Sequence, residues 1–83
     1  MDTRTEVLRV VDEVLSLGGR ALAFKDDTPL LGAIPELDSM AVVTLITTLE
    51  ERFGITVDDD DISGDTFVNV AALRAFVEQK LAG

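Results

Sequence analysis

Pro35-Glu36-Leu37-Asp38-Ser39-Met40-Ala41-Val42-Val43-Thr44-Leu45-Ile46-Thr47-Thr48-Leu49-Glu50-Glu51-Arg52-Phe53-Gly54 carries the signals for both ends of a helix within one stretch. Pro35 bars a helix from running in from upstream, Asp38 and Ser39 are residue types that cap a helix start, and Gly54 can take the left-handed conformation that closes one. The stretch therefore predicts a helix that opens at or beside Ser39 and ends at Phe53-Gly54. Val42, Leu45, Ile46, Leu49 and Phe53 follow the i, i+3, i+4, i+7, i+11 spacing of a core-facing stripe. Met40 and Val43 fall outside it, on the flank or far side with Thr44, Thr47, Glu50 and Glu51. A serine at the positive end of a helix, beside exposed apolar side chains and with acids further along, suits a site that carries a phosphate ester and docks other proteins.

The rest of the chain predicts two more long helices and one short one. Thr3-x-x-Glu6 reads as a capping box, and Val7, Val10, Val11, Val14 and Leu17, widened by Leu8 and Leu15, form the stripe of a first helix that Gly18-Gly19 ends. Arg9, Asp12, Glu13 and Ser16 face water on this reading. A long connection from Gly19 to Asp38 is expected to pack itself through Leu22, Phe24, Leu30, Leu31, Ile34 and Leu37, with a helical turn near Arg20 to Phe24. After Gly54, Ile55 and Val57 should tuck inward in a short extended link. The run Asp58-Asp59-Asp60-Asp61 then suits the first turn of a short helix reaching to about Gly64, because its charge complements the helix dipole. A last helix begins between Thr66 and Asn69, either of which could cap it. It carries Val70, Leu73, Val77 and Leu81 on one stripe with Phe76 at its edge, Lys80 near its C-terminal end, and a frayed Leu81-Ala82-Gly83.

Composition bounds the function. The chain has 83 residues, which is one domain's length, 16 acids against seven bases for a formal charge of −9, and neither Cys nor His. That charge repels nucleic acid and anionic lipid surfaces and favours partners with basic faces. Without Cys there is no disulfide or thiolate nucleophile. Without His, Ser39 has no imidazole base, so a Ser-His-acid triad cannot be assembled and any chemistry at Ser39 is put there by another protein. Asp59-x-Asp61-x-Ser63-Gly64 matches the first half of a calcium loop, but the twelfth position, where a bidentate Glu belongs, is Val70. We therefore expect no metal site. Met1-Asp2-Thr3-Arg4 has no basic-then-apolar leader, and no apolar run approaches the length of a membrane span, so a cytoplasmic monomer without membrane insertion is the expectation.

Asp38-Ser39-Met40 resembles the Asp-Ser-Leu/Met motif of acyl carrier proteins, and the resemblance continues through Leu49-Glu50-Glu51-Arg52-Phe53-Gly54-Ile55 and extends weakly to both termini. It implies an all-α fold, a small antiparallel helical bundle of three longer helices and a short third one, over residues 1–83 as a single carrier domain. It also implies 4′-phosphopantetheine attached to Ser39 by a separate phosphopantetheinyl transferase, and acyl intermediates carried as thioesters to acyl-loading and acyl-processing enzymes. Asp38, Met40, Val43, Glu50 and Glu51 are the expected partner-binding residues, facing basic docking surfaces. This sequence departs from the familiar fatty-acid carriers in one respect: Ala41, Thr44, Thr47 and Thr48 are neutral where acids usually follow the serine, which points toward a dedicated pathway such as a polyketide, peptide or envelope-polymer system. The approach Gly32-Ala33-Ile34-Pro35-Glu36-Leu37 resembles carriers that accompany exosortase and exopolysaccharide clusters. The alternative is an acidic helical interaction module without a prosthetic group, in which Asp38-Ser39 is only a cap and Met40-Val43 only a docking patch.

Overall fold

The computed structural model describes residues 2–62 and 65–82, apart from the side chain of Asp59. Among these residues the elements are α1 (Thr3–Leu15), a 3-10 turn (Arg20–Ala23), α2 (Ser39–Phe53), a second 3-10 turn (Asp59–Asp61) and α3 (Val70–Ala82). The architecture is the expected helical bundle, and the second 3-10 turn stands in the place of the expected short helix. Ser63 and Gly64, the end of that expected helix and part of the calcium-loop pattern, lie outside the described residues, as does Gly83.

Helix α1 is the hub. It packs against α2, against α3 and against the first 3-10 turn, and it buries Val7, Leu8, Val10, Val11 and Leu15. Leu45 and Leu49 of α2 and Val70, Leu73 and Val77 of α3 complete the centre, with Leu17, Ala21, Leu30, Leu37 and Phe67 brought in from the connections. Salt bridges from Arg52 near the end of α2 to Glu6 at 3.3 Å and Glu13 at 3.0 Å bind α2 along the flank of α1.

Both ends of α1 differ from the expectation. Asp2, not Thr3, is the N-cap: its carboxylate accepts from the Arg4 amide at 3.2 Å and from the Thr5 hydroxyl at 2.8 Å. The Thr5 contact, with the two backbone amides, holds the Asp2 carboxyl below its ordinary value. Glu6, freed from a capping role, serves Arg52 instead. The helix also stops at Leu15, short of Gly18-Gly19, with Ser16 in the left-handed region at φ 55°. Leu17 N–H donates to the Asp12 carbonyl at 3.0 Å and Ser16 N–H to the Glu13 carbonyl at 3.4 Å. These are the paired bonds of a Schellman motif, and the buried Leu17 is the apolar residue that such a motif folds back on the helix.

The long connection is packed, as expected, but by a different set of residues. Ala21, Leu30 and Leu37 are buried, and Phe24 and Ile34 lean on the core, whereas Leu22 and Leu31 are exposed. Polar contacts set this selection. Asp12, expected to face water, turns its carboxylate under the first 3-10 turn and accepts from Gly19 N–H at 2.7 Å and Ala21 N–H at 3.2 Å. Further on, Leu30 and Leu31 N–H donate to the carbonyls of Val68 and Phe67, and Val70 N–H donates back to the Thr28 carbonyl. A short antiparallel bridge therefore ties Pro29 to Asn69, which turns the side chains of Leu30 and Leu31 to opposite sides.

Helix α3 is capped by Asn69, whose side-chain oxygen accepts from Ala72 N–H at 2.8 Å. It continues through Ala82 where fraying was expected, and Leu81 is 47% exposed and so lies outside the core stripe. Lys80 does more than complement the dipole. Its ammonium reaches Asp61 at 2.5 Å, and Asp61 also accepts from its own Asp58 N–H at 2.9 Å. The Lys80 contact first, and the Asp58 amide second, lower the Asp61 pKa from its usual 3.8. One member of the acidic run is thus neutralised locally, which eases the mutual repulsion of its neighbours.

Two outcomes follow from this packing. Leu45→Ala, at a side chain that is 0% exposed, should cost about 3 kcal/mol in denaturant melts, and Leu81→Ala less than about 1 kcal/mol. Because the folded pKa of Asp61 is depressed, its contribution is present above the unfolded value of 3.8 and is lost as the pH falls through the folded value. Lys80→Met should therefore lower the melting temperature at pH 7, and the gap to the unaltered chain should close as the pH is taken below about 4.

Candidate functional site

The approach to α2 is fixed residue by residue. Leu37 is buried and its N–H donates to the Ile34 carbonyl at 3.0 Å, while Asp38 N–H donates to the Glu36 carbonyl at 3.2 Å. The Glu36 carboxylate is held at 3.2 Å by Arg20, whose guanidinium also donates to the Leu17 carbonyl just past the end of α1. The segment entering α2 is thus strutted from the first helix. Arg20 had no periodic or motif signal in the sequence to mark it for this role.

Asp38 is the N-cap, in an extended conformation, with its carboxylate accepting from Ala41 N–H at 2.8 Å and its carbonyl from Val42 N–H at 2.9 Å. Ser39 is therefore the first helical residue. It is exposed, and among the described residues no hydrogen bond engages its hydroxyl. The first amides of a helix have no intrahelical partner, and together with the aligned peptide dipoles they favour negative charge at that end. An exposed primary hydroxyl at this position is chemically suited to carry a phosphodiester, with Asp38 keeping the backbone in place by its cap.

The other expected site residues separate into two groups. Met40, 75% exposed, and Val43, 60% exposed, project from α2 as the wheel implied. Glu51 is also exposed. Glu50 is half-buried, and its carboxylate accepts from Val57 N–H at 2.8 Å while its carbonyl accepts from Gly54 and Ile55 N–H. Sequence reasoning placed Glu50 with the exposed acids; the structure gives it a second duty, closing α2 and turning the chain into the extended link. Among the described residues no group of acids is arranged to hold a metal ion, and no helix is long and apolar enough to cross a membrane.

Comparison with known proteins bears on this geometry. A family model described as the phosphopantetheine attachment site matches residues 5–77. The chain is 48% identical to a holo acyl carrier protein from Nitrosomonas europaea, whose solution NMR structure superposes with a TM-score of 0.91 over 100% of both chains. No curated protein sequence matches the chain.

The cap can be tested apart from any modification. Asp38→Ala should cost about 1 kcal/mol, and Asp38→Asn only a few tenths, since Asn also caps well. Ser39→Ala should leave the melt within about 0.5 kcal/mol of the unaltered chain, as expected for an exposed side chain with no hydrogen bond. Chemical denaturation of the three variants measures the differences.

Proposed function

The chain belongs to the phosphopantetheine-attachment family, as an acyl carrier protein and not an enzyme, and from that membership we propose that its 4′-phosphopantetheine arm is attached to Ser39. The observation that carries this assignment is the combination at one residue of an exposed, unengaged hydroxyl and the first position of a helix capped by Asp38. When bound, the arm supplies the thiol that this Cys-free chain lacks, and acyl groups travel on it as thioesters. The protein's own residues position the hydroxyl, present it to solvent and set the charge around it.

The family implies two classes of partner, a phosphopantetheinyl transferase and the enzymes that load and process the acyl group. A formal charge of −9 favours encounter with enzymes of opposite field and disfavours nucleic acid and anionic lipid. We assign the 83 residues to one carrier domain working as a monomer in the cytoplasm. The neutral residues Ala41, Thr44, Thr47 and Thr48 after the serine support a dedicated pathway, of polyketide, peptide or envelope-polymer type, over general fatty-acid synthesis. The interaction module without a prosthetic group has lost its ground, since the family it would stand apart from is the one that the chain belongs to.

Intact mass measured after incubation with a phosphopantetheinyl transferase and coenzyme A provides the test. The unaltered chain should gain one phosphopantetheine and Ser39→Ala none, with the same melting behaviour. A Ser39→Ala chain that still takes the arm would place the attachment elsewhere, with Ser16 the first alternative to examine.

A further inference from the structure

The segment that carries the chain into α2 has few attachments of its own. Pro35 and Glu36 are exposed, and Leu37 is the side chain that seats the segment in the core. One apolar anchor fixes a point but leaves the chain free to swivel about it. The direction is set from the outer side. Among the described residues, the one hydrogen bond or ion pair joining the side chains of residues 35–37 to another element runs at 3.2 Å from the Arg20 guanidinium to the Glu36 carboxylate. Arg20 is in turn seated from two sides. Its Nε donates to the Leu17 carbonyl at 3.1 Å, and the turn that carries it is closed by the Asp12 carboxylate, which accepts from Gly19 N–H at 2.7 Å and Ala21 N–H at 3.2 Å. A guanidinium can serve Leu17 and Glu36 at once because its donors form a rigid fork, which a lysine ammonium lacks. The result is an unbroken relay of polar contacts from α1 to α2. It passes from Asp12 to the turn at 19–21, through Arg20 to Glu36, and from the Glu36 carbonyl through Asp38 N–H to the carboxylate that caps Ala41. Ser39 stands inside its last link, between Asp38 and Ala41.

We infer that Arg20, on the assignment of Ser39 as the attachment point, is a positioning residue for transfer of the arm. It acts through Glu36 and Asp38, and it keeps the start of α2 in the orientation that the phosphopantetheinyl transferase requires before the two proteins meet. A chain whose approach is held for only part of the time behaves as though it were diluted. Its KM rises by the reciprocal of the held fraction, and turnover of the docked pair is unchanged. The size of the effect is bounded, because an exposed ion pair supplies at most about a fivefold shift. Its sign separates positioning from long-range charge. Loss of Arg20 makes the chain more negative, and the field alone would then draw an enzyme with a basic face more strongly and lower KM. Loss of positioning raises it.

The test uses the full chain, coenzyme A and a phosphopantetheinyl transferase that modifies it, with kcat and KM for the carrier measured separately. A thermal melt of each variant establishes that it is folded at the assay temperature, and amide hydrogen exchange by NMR follows the backbone. Arg20→Ala should raise KM about threefold at unchanged kcat, and exchange of the Asp38 amide should quicken while that of the Leu49 amide does not. Arg9→Ala removes the same charge from α1, where Arg9 meets only Glu6 at 3.9 Å, and should not raise KM. Glu36→Ala should match Arg20→Ala, and the two together should cost about threefold and not ninefold, because both break one link. Arg20→Glu should raise KM at least as far as Arg20→Ala, and adding Glu36→Arg should recover most of the loss. An unchanged or lowered KM in Arg20→Ala, an equal rise in Arg9→Ala, or losses that multiply in the double Ala variant would each overturn the role given to Arg20. Failure of the unaltered chain to take the arm, or its uptake by Ser39→Ala, would instead sink the assignment of Ser39; with that assignment standing, the Arg20 and Glu36 variants judge the relay alone.

Discussion

Everything else in this fold depends on the width of the apolar surface on α1. Val7, Leu8, Val10, Val11, Val14 and Leu15 cover an arc of about 160° at the 100° per residue of an α-helix, wider than the roughly 100° stripe that one neighbour requires. A narrower helix could hold one partner. This one holds α2 on one flank, α3 on the other and the first 3-10 turn near its end, so three segments that need not contact one another much are organised through a common support. The β-branched residues that dominate the arc bring little rotamer freedom to lose, which suits a chain short enough to bury only a thin core.

Charge supplies the second level of organisation. Most of the few bases are used inside the molecule. Arg52 bridges Glu6 and Glu13, Arg20 holds Glu36, Lys80 holds Asp61, and Arg4 and Arg74 both reach Asp26, at 3.1 and 3.6 Å. Arg4 also donates to the Phe24 carbonyl at 2.6 Å. Exposed pairs of this kind contribute less than about 1 kcal/mol each, so their importance is positional: each fixes a connection or a helix end against a particular neighbour. Their second effect is on the outside. Each pairing cancels one acid, and the excess of acids over bases leaves the surface net negative, a field in which the uncharged exposed residues Met40, Val43, Thr44 and Thr47 of α2 stand apart.

The division between what the residues foretell and what they conceal follows a physical line. The bounds of α2 are legible because Asp38 and Gly54 act on their own backbone neighbours, and so are the buried and exposed faces, because periodicity converts directly into direction. Ser39 at the helix start and the exposure of Met40 and Val43 come from those same local rules. What is hidden is every interaction that depends on where a distant backbone amide arrives. Asp12 and Glu50 sit on polar-looking helix positions, yet each turns its carboxylate onto amides of a following loop. Leu22, Leu31 and Leu81 look like core residues yet are exposed; the Pro29–Asn69 bridge turns Leu30 inward and leaves Leu31 out, and the Schellman turn at Ser16 brings in Leu17. Phe67 takes a place in the core that no helical period could have marked, because it lies in the bend before α3.

The same distinction bears on how a carrier of this kind can work. An arm that must reach several enzymes needs freedom, but freedom in the protein backbone would cost ordering entropy at every docking event. Here the backbone around Ser39 has little of it: Leu37 is anchored in the core, Glu36 is held by Arg20, Asp38 closes the first turn of α2, and Leu45 and Leu49 fasten the helix to α1. On the proposed attachment at Ser39, an arm there would turn about the side-chain oxygen, on a backbone that these contacts already hold. Packing uses one side of the helix only, so substitutions along its exposed side, at Met40, Val43, Thr44 and Thr47, leave in place the stability that the buried stripe provides.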